Sequence, residues 1–440
     1  MKNVKKTVAV AMSGGVDSSV SAIILKNKGF NVIGLSMRLI GDLNNKEPAE
    51  KSCCSVSDLI DAKRVCVKLG IPHFVINLED EFKENVIAQF TKEYLEGKTP
   101  NPCILCNKIL KFDILLKRAA QLGADYLATG HYARITKKLN GGFGLIKAKD
   151  PLKDQSYVLY NLNQKLLSRL IFPVGNLHKS EIRKMALENG FNEISKKKDS
   201  VEICFIPDGN YHKFILEQLQ YPCSNGSEDN NGSYNSYETY NRYSGCIRNM
   251  SGKIIGKHNG IFQYTIGQRK RLGISSVNPL YVIKIDSATK DIFVGTMNEC
   301  LGSELYINDF NFINDGYKNM LSELNLTAKI RYSSLNYECS AEIINYEIPK
   351  TIIITNDDKN NGKNYKNADY QNDYQNIESY HHRKNSVNLK NAAIENGTDE
   401  DFKKYRVKIT FKQPVKFITP GQSAVLYSGI KVIGGGVIEI

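Results

Sequence analysis

Apolar runs of strand length recur through the first third of the chain, and stretches with helical periodicity separate them. The runs lie at residues 7–11, 32–37, 74–78 and 126–129. Strands that alternate with amphipathic helices are typical of βαβ units, so this part of the chain predicts a doubly wound parallel sheet. Ligands bind beyond the carboxyl ends of such strands. Segment 12–18, the residues after Met37, and Gly130-His131 should therefore converge on one crevice.

The second half of the chain has short alternating strands separated by turn residues. Its last part, at 406–426 and 432–440, predicts a small antiparallel barrel. We therefore expect three domains: an α/β domain at 1–208, a small central domain at 209–280, and a β-barrel at 281–440.

Two stretches interrupt this organisation. Residues 223–244 and 356–400 are rich in asparagine and have too little apolar surface to offset the entropy of ordering. We expect both to be solvated insertions, the second a disordered insertion in the barrel. The alternative for the longer one is a mobile arm that contacts RNA through its lysines. Its acidic residues offset that charge, so a neutral spacer is favoured.

The composition, with 41% hydrophobic and 24% charged residues, is that of a globular protein, and no apolar run has the length that spans a bilayer. We expect no membrane location. The net charge of +13 suits a polyanionic partner, although lysines that only solvate the surface would give the same value. Ten cysteines at irregular spacings in 440 residues are not a secreted disulfide framework. They indicate reduced thiols and a cytoplasmic protein.

A glycine-rich loop, AMSGGVDSS, follows the first predicted strand and leads into a helix that should run to about Lys28. Glycines let the backbone approach a phosphate, serine hydroxyls and N–H groups can donate to it, and a helix N-terminus favours an anion. The loop is neither a Walker A loop nor the dinucleotide fingerprint. A simple strand-to-helix turn capped by serine and aspartate is the alternative. The complete SGGxDSS motif at a strand end favours phosphate binding.

Two cysteines are candidates for reactive thiols. Cys106 follows the segment TPNPCIL near a predicted helix start, where the helix dipole, Lys108 and Lys111 would lower its pKa. Cys103 and Cys106 could instead form half of a zinc site, but no second Cys-x-x-Cys or close Cys/His pair accompanies them. Cys204 lies among bulky apolar residues, where a cysteine is more often a small buried hydrophobe.

Taken together, the motifs resemble those of one family. They are SGGVDSS, CCS (53–55), TPNPCILCNKILKF, ATGHY, KDQSY, EICFIP, YTIGQRK and PGQSA. In this order they resemble the bacterial transfer-RNA-specific 2-thiouridylases, which belong to the ATP pyrophosphatase (PP-loop) superfamily. The match runs nearly end to end and skips only the two asparagine-rich stretches.

The resemblance implies a tRNA-uridine 2-sulfurtransferase. Such an enzyme adenylates the wobble uridine (position 34) with ATP and then transfers persulfide sulfur to C2, which gives 2-thiouridine, AMP and pyrophosphate. The implied fold is an adenine nucleotide α-hydrolase-like domain, a small central domain and a C-terminal β-barrel. The implied cofactors are ATP and Mg²⁺. The implied partners are tRNAs of the Lys, Glu and Gln type and a sulfur donor protein, either a cysteine desulfurase or a sulfur relay carrier.

The resemblance also implies roles for individual residues. Cys106 would be the nucleophile and Cys204 the cysteine that carries the persulfide, and a disulfide between them would remain after turnover. The implied ATP contacts are Ala11, Met12, Ser13, Gly14, Gly15, Val16, Asp17, Ser18, Met37 and Gly130. The implied tRNA contacts are Asn101, Pro102, Cys103, His131, Lys153, Asp154, Gln155, Arg331, Tyr332 and Gln422.

Two positions depart from the family pattern. Many relatives have an aspartate where this chain has Cys103, and proton transfer has been assigned to that carboxylate, so the proton carrier stays open here. Arg271 stands where the family usually has glycine, and we interpret it as a surface substitution in a β-turn.

Two other functions are possible alternatives to the thiouridylase. An amidating synthetase would need an ammonia-supplying domain, which the sequence lacks, and a silent RNA-binding module would not need the two cysteines.

Overall fold

The computed structural model describes residues 5–40, 56–138, 141–197, 199, 203–206, 208–220, 243–344 and 405–439. The predicted insertion at 356–400, nearly all of that at 223–244, and the motif at 53–55 lie outside the described residues. Among the helices described, none combines the length and the apolar character needed to cross a bilayer.

Seventeen strands and ten α-helices are described, numbered here in chain order. The strands are β1 (Thr7–Ala11), β2 (Asn31–Arg38), β3 (His73–Asn77), β4 (Tyr126–Ala128), β5 (Ala133–Lys137), β6 (Phe143–Lys147), β7 (Leu170–Ile171), β8 (Gly245–Asn249), β9 (Ile254–His258), β10 (Tyr281–Asp286), β11 (Asp291–Gly295), β12 (Leu301–Phe312), β13 (Leu326–Lys329), β14 (Tyr337–Ile344), β15 (Tyr405–Lys416), β16 (Ser423–Ser428) and β17 (Lys431–Glu439). The helices are α1 (Val16–Asn27), α2 (Val56–Leu69), α3 (Glu79–Phe82), α4 (Ala88–Leu95), α5 (Pro102–Leu105), α6 (Leu116–Gln121), α7 (Gln164–Leu167), α8 (Lys179–Glu188), α9 (Asn192–Lys196) and α10 (Tyr211–Gln220). π-helical segments at Lys83–Ile87 and Cys106–Leu115 join α3 to α4 and α5 to α6.

A five-stranded parallel sheet with the order β3-β2-β1-β4-β7 organises the first third of the chain. Its central strand is fully buried at Val8, Ala9 and Val10. A strand that is covered on both faces needs apolar side chains in both directions, which explains its continuous apolar run. The predicted parallel α/β sheet is confirmed.

A four-stranded sheet with the order β10-β11-β8-β9 follows in the middle of the chain. Ile247, Val282, Ile292 and Val294 form the centre of its core. This sheet includes β10 and β11, which lie after residue 280, where the sequence placed the end of the central domain. The exact domain boundaries stay a prediction.

The C-terminal strands close into a six-stranded antiparallel barrel, as predicted. The order is β12-β15-β14-β13-β16-β17, and β17 pairs back with β12. Inward residues alternate with outward ones, for example at Val407, Ile409 and Phe411 of β15. The hairpin β5–β6 extends this sheet, because Ile146 pairs with Lys431. The sequence did not predict that connection.

Candidate active site

A cavity of about 460 Å³ opens at the carboxyl ends of β1, β2 and β4. Its wall includes residues from the loop after β1, the end of β2 and the segment after β4, so the predicted convergence of these strand ends is confirmed. The segment around Cys106 and the turn at 203–206 complete the wall. Both cysteines therefore face the same space as the glycine-rich loop.

Most of the predicted site residues line this cavity. They are Ala11, Met12, Ser13, Asp17, Ser18, Met37, Asn101, Pro102, Cys103, Cys106, Gly130, His131, Gln155, Cys204 and Tyr332. The predicted residues that do not line it are Gly14, Gly15, Val16, Lys153, Asp154, Arg331 and Gln422.

The glycine-rich loop is shaped by its own serines. Ser18 Oγ accepts a hydrogen bond from the N–H of Ser13 at 3.2 Å and donates to the carbonyl of Gly15 at 3.0 Å. Gly14 has φ 71°, and a side chain there would collide with the carbonyl of Asp58. The loop therefore keeps a bare backbone in front of the N-terminus of α1, which is suited to an anion.

The carboxylate of Asp17 already has hydrogen-bond partners within the protein. Its carboxylate accepts hydrogen bonds from the hydroxyl of Tyr132 at 2.6 Å and from Lys179 Nζ at 2.8 and 2.9 Å. Burial and the adjacent Asp17 charge raise the pKa of Tyr132 above its ordinary value, so Tyr132 stays a donor. Because Lys179 offsets the charge of Asp17, the carboxylate repels an entering phosphate less.

The same lysine connects the phosphate loop to the segment that carries Cys204. Lys179 Nζ also lies 2.8 Å from Asp199, and Lys153 Nζ lies 2.7 Å from the other oxygen of that carboxylate. Burial alone would raise the pKa of Asp199, but the two ammonium groups hold it below its ordinary value. Asp199 therefore stays ionised and ties three parts of the chain together.

Cys106 begins the π-helical segment and is 9% exposed. The helix itself starts earlier than predicted, at Pro102, because proline suits a first helical position and Asn101 Oδ1 accepts from the N–H of Cys103 at 3.2 Å. The helix dipole acts most strongly within the first turn. Cys106 lies beyond that turn, because the helix begins at Pro102.

Lys111 and Asp17 are the charged side chains that line the cavity within the described residues. In π-helical geometry, where hydrogen bonds join residues i and i+5, Lys111 lies one turn from Cys106. Lys111 Nζ donates to Asn107 Oδ1 at 2.9 Å, and Asn107 Nδ2 donates to the carbonyl of Val158 at 3.1 Å. Lys108, which the sequence ranked beside Lys111, is exposed and does not line the cavity.

His131 is a neutral polar group in the wall. Its Nδ1 lies 2.7 Å from Thr129 Oγ1. Burial, and secondarily the charge of Lys111, place the pKa of His131 well below its ordinary value. The imidazole can therefore hydrogen-bond to a ligand without adding charge.

Cys204 occupies a turn and is half-buried. The next residue, Phe205, is buried against Phe82 and Phe90, with ring centroids 5.5 and 5.2 Å away. This aromatic contact anchors the turn and leaves Cys204 on the cavity wall. The thiol is therefore not a simple core residue.

The four predicted tRNA contacts that do not line the cavity all have partners within the protein. Gln422 Nε2 donates to the carbonyl of Thr99 at 2.7 Å, and Arg331 Nη2 donates to the carbonyl of Phe417 at 2.6 Å. Asp154 Oδ1 accepts from the N–H of Ala148 at 2.9 Å, and Lys153 pairs with Asp199. Their contacts with RNA stay a prediction.

Sequence reasoning missed part of the cavity wall. The additional residues are Leu35, Leu39, Phe82, Val86, Asn107, Lys111, Thr129, Val158, Ile203 and Phe205. Lys111 was named in the sequence analysis as a neighbour of Cys106. Asn107, Thr129, Ile203 and Phe205 also had a usable signal, because they stand inside the quoted motifs. Within the described residues, no group of three or more His, Cys, Asp or Glu side chains is arranged to hold a metal ion.

Comparison with known proteins gives matches along most of the chain. Residues 6–208 match the family model of the tRNA methyl transferase HUP domain, 237–296 that of the tRNA methyl transferase PRC-barrel domain, and 382–438 that of the aminomethyltransferase beta-barrel domain. The chain is 40% identical over 435 residues to the tRNA-specific 2-thiouridylase MnmA of Clostridium beijerinckii, covering 99% of each chain. It is 38% identical to that of Clostridium perfringens, with the same coverage, and to MnmA 2 of Clostridium tetani over 100% of each chain.

Proposed function

We propose that this chain, which belongs to the tRNA-specific 2-thiouridylase family, replaces the C2 oxygen of the wobble uridine of tRNA with sulfur at the expense of ATP. The observation that carries this proposal is the single cavity that the phosphate loop, Cys106 and Cys204 line together. Nucleotide activation and sulfur delivery require these groups to reach the same base.

The first step is adenylation of the uridine. The C2–O bond of uracil is amide-like and its oxygen leaves poorly. Attack of that oxygen on the α-phosphorus of ATP expels pyrophosphate and joins AMP to the base, so AMP becomes the leaving group. The bare backbone of the phosphate loop and the N-terminus of α1 would hold the phosphates. The cavity encloses the reacting atoms and excludes much of the competing water.

The second step is sulfur transfer. A persulfide on Cys204 carries the sulfur, and attack of the Cys106 thiolate on the Cys204 sulfur breaks the S–S bond and releases hydrosulfide. Hydrosulfide attacks C2 and AMP leaves. Alternatively, the terminal sulfur attacks C2 first and Cys106 then cleaves the S–S bond. Both orders end in 2-thiouridine and a Cys106–Cys204 disulfide, which an external thiol reductant must reduce.

Magnesium ions would accompany the phosphates. Asp17 is the one carboxylate that lines the cavity among the described residues, and Lys179 and Tyr132 already bond to it. Asp17 could add one oxygen ligand, so the phosphates and water would supply most of the others. We propose tRNAs of the Lys, Glu and Gln type as substrates, and a cysteine desulfurase or a relay carrier as the sulfur donor. A cytoplasmic location stays a prediction.

The test is ATP-dependent incorporation of sulfur into an unmodified tRNA transcript with uridine at position 34. With sulfur-labelled cysteine, a cysteine desulfurase as the persulfide donor and a thiol reductant, the full chain should form 2-thiouridine, AMP and pyrophosphate in equal amounts. A transcript with cytidine at that position is the matched control and should stay unlabelled. Incorporation of nitrogen instead of sulfur would indicate an amidating synthetase. Binding of tRNA without AMP formation would indicate a silent RNA-binding module.

A further inference from the structure

The segment that joins β9 to β10 presents an exposed basic turn at 269–271. It consists of Arg269, Lys270 and Arg271, and all three are exposed. No ion pair joins any of them to an acidic residue in the ranges that the structure describes. Their positive charge therefore faces solvent without local compensation.

The turn borders an open cavity of about 360 Å³. Arg269 and Arg271 line it together with Ser275, Ser276 and Asn278, and none of its lining residues is acidic. Guanidinium, hydroxyl and amide donors around a basic depression form a surface that suits phosphate oxygens, because a guanidinium can donate two parallel hydrogen bonds to them.

The backbone at Arg271 adds a second observation. Its φ is 62°, in the left-handed region that a side chain with a Cβ rarely adopts. Glycine would adopt this conformation without steric cost. The position lies in an exposed turn, as the sequence predicted, and an arginine occupies it although the backbone conformation favours glycine. Side chains held in such conformations are concentrated at binding sites.

The basic turn is fixed to the wall of the active-site cavity. Gln268 braces it, since its side chain accepts from the N–H of Thr265 at 3.1 Å and donates to the carbonyl of Lys270 at 3.0 Å. The carbonyl of Ile266 accepts from Arg331 Nη2 at 3.4 Å, and the next residue, Tyr332, lines the cavity. These contacts link the segment that carries the basic turn to the residue next to Tyr332 on the cavity wall.

We propose that the turn at 269–271 binds backbone phosphates of the substrate tRNA, with Arg271 as a principal contact. This inference rests on the proposed function, because the target base must enter the cavity to bring its neighbouring phosphates to the turn. Each phosphate contact releases counterions, so its loss has a measurable signature in the salt dependence of binding.

The experiment compares Arg271→Gly with Lys290→Gly in the full chain. Lys290 is also basic, has φ 60°, and lies between β10 and β11 of the same sheet system. Both substitutions remove one charge and relieve one left-handed conformation, but Arg271 is exposed and borders the second cavity, whereas Lys290 is half-buried and does not border it. Affinity for an unmodified tRNA transcript is measured by fluorescence anisotropy over a series of KCl concentrations, and thermal unfolding is recorded for each protein.

For Arg271→Gly we expect roughly three- to tenfold weaker binding, a salt slope reduced by about one, and no loss of thermal stability. Lys290→Gly should keep the affinity and the slope of the unmodified chain. Equal slopes for all three proteins, or the same loss in both variants, would overturn the inference while leaving the thiouridylase function intact. If the unmodified chain does not bind tRNA, the proposed function fails and this inference fails with it.

Discussion

Cys106 and Cys204 differ in how the protein holds them. Cys106 is built into a helix and is nearly enclosed, whereas Cys204 lies in a turn that a neighbouring phenylalanine anchors. A thiol in a helix keeps its position, while one in a half-buried turn is more accessible to another protein. This difference fits the division of labour in which Cys204 receives sulfur and Cys106 releases it.

Cys106→Ser and Cys204→Ser should each abolish thiolation, because each removes one sulfur of the proposed disulfide. Both variants should still bind ATP and tRNA, since adenylation precedes sulfur transfer. Cys246→Ser is the matched control, because Cys246 is a half-buried cysteine that does not line the cavity. Single-turnover thiolation assays on the three proteins test this, and normal turnover by either of the first two would disprove the two-cysteine mechanism.

His131 should make stability depend on pH below neutrality. Burial places its pKa in the folded chain well below 6.5, whereas the unfolded chain takes up a proton near pH 6.5. The unfolded state therefore binds more protons as the pH falls through 6.5, and the folded state loses stability. Between pH 7.5 and 5.5 the titration of His131 lowers the free energy of unfolding by about 1.4 kcal/mol.

His131→Gln removes that titration. The variant is expected to be less stable at pH 7.5, because it loses the contact with Thr129, but its unfolding midpoint should fall less than that of the unmodified chain on going to pH 5.5. Thermal unfolding at the two pH values measures the difference. Identical shifts for both proteins would show that His131 does not contribute to the pH dependence.

At the scale of elements, the π-helical segment Cys106–Leu115 brings Lys111, five residues from Cys106, to the cavity that Cys106 also lines. Lys108 is exposed and does not line the cavity. A positive charge close to a sulfur favours the thiolate, which is the nucleophilic form.

Lys111→Met should therefore slow alkylation of Cys106 by iodoacetamide at neutral pH, by roughly three- to tenfold. Lys108→Met removes the same charge three residues closer in sequence but outside the cavity, and its rate should match that of the unmodified chain. Lys111→Arg should retain most of the rate. Mass spectrometry of the peptide that contains Cys106 separates its reaction from that of the other cysteines. Equal slowing by both methionine variants would point to a general surface-charge effect.

The elements that the sequence predicted well are those with strong local patterns. Every end of β1 to β4 lies within one residue of the end of the predicted run. Continuous apolar runs and flanking polar residues mark these strands in the sequence. β7 has only two residues, too few for a pattern. The hairpin β5–β6 alternates normally, yet its pairing with β17 depends on a residue nearly three hundred positions away.

The candidate active site shows the same contrast between residues that local motifs mark and residues that only the fold brings together. The phosphate loop and both cysteines stand in local motifs, so the sequence located them. The ion pairs that join Asp17 to Lys179 and Lys179 to Asp199 bring together three distant segments. Their residue types are common, and only the fold selects these partners. Lys111 was visible as a neighbour of Cys106, but its place in the cavity follows from π-helical spacing, which a period of 3.6 residues does not predict.

At the scale of the whole molecule, the barrel helps to form the active site. Gln422 donates to the carbonyl of Thr99, and the N–H of Thr99 donates to the carbonyl of Pro420 at 3.0 Å. The hydroxyl of Tyr157 donates to the carbonyl of Ser423 at 2.7 Å. The loop that leads to Cys106 is therefore held at Thr99 through both its N–H and its carbonyl, and disruption of the barrel should impair catalysis even though the barrel holds neither Cys106 nor Cys204.

The long connection between β14 and β15 can be shortened to test whether it contributes to activity or to tRNA binding. Strand β14 ends at Ile344 and β15 begins at Tyr405, and Ile344 pairs with Arg406 in antiparallel register. The strand ends are therefore adjacent, and a short loop can join them. Replacing residues 357–398 with a short Gly/Ser linker should keep the barrel closed, because shortening a flexible loop changes its closure free energy by only about 1 kcal/mol or less, in the favourable direction.

Thiolation and tRNA affinity should both stay within about twofold of the unmodified chain, as for surface changes that touch no packed group. A Gly/Ser segment of the original length is the matched control, because it removes the asparagines, lysines and acidic residues but not the length. If both variants lose tRNA affinity while their unfolding midpoints are unchanged, the composition of the segment contributes to RNA binding and the neutral-spacer interpretation is wrong. If only the short variant loses affinity, the length of the connection matters. Retained affinity in both would leave tRNA binding to the cavity wall, the barrel and the basic turn.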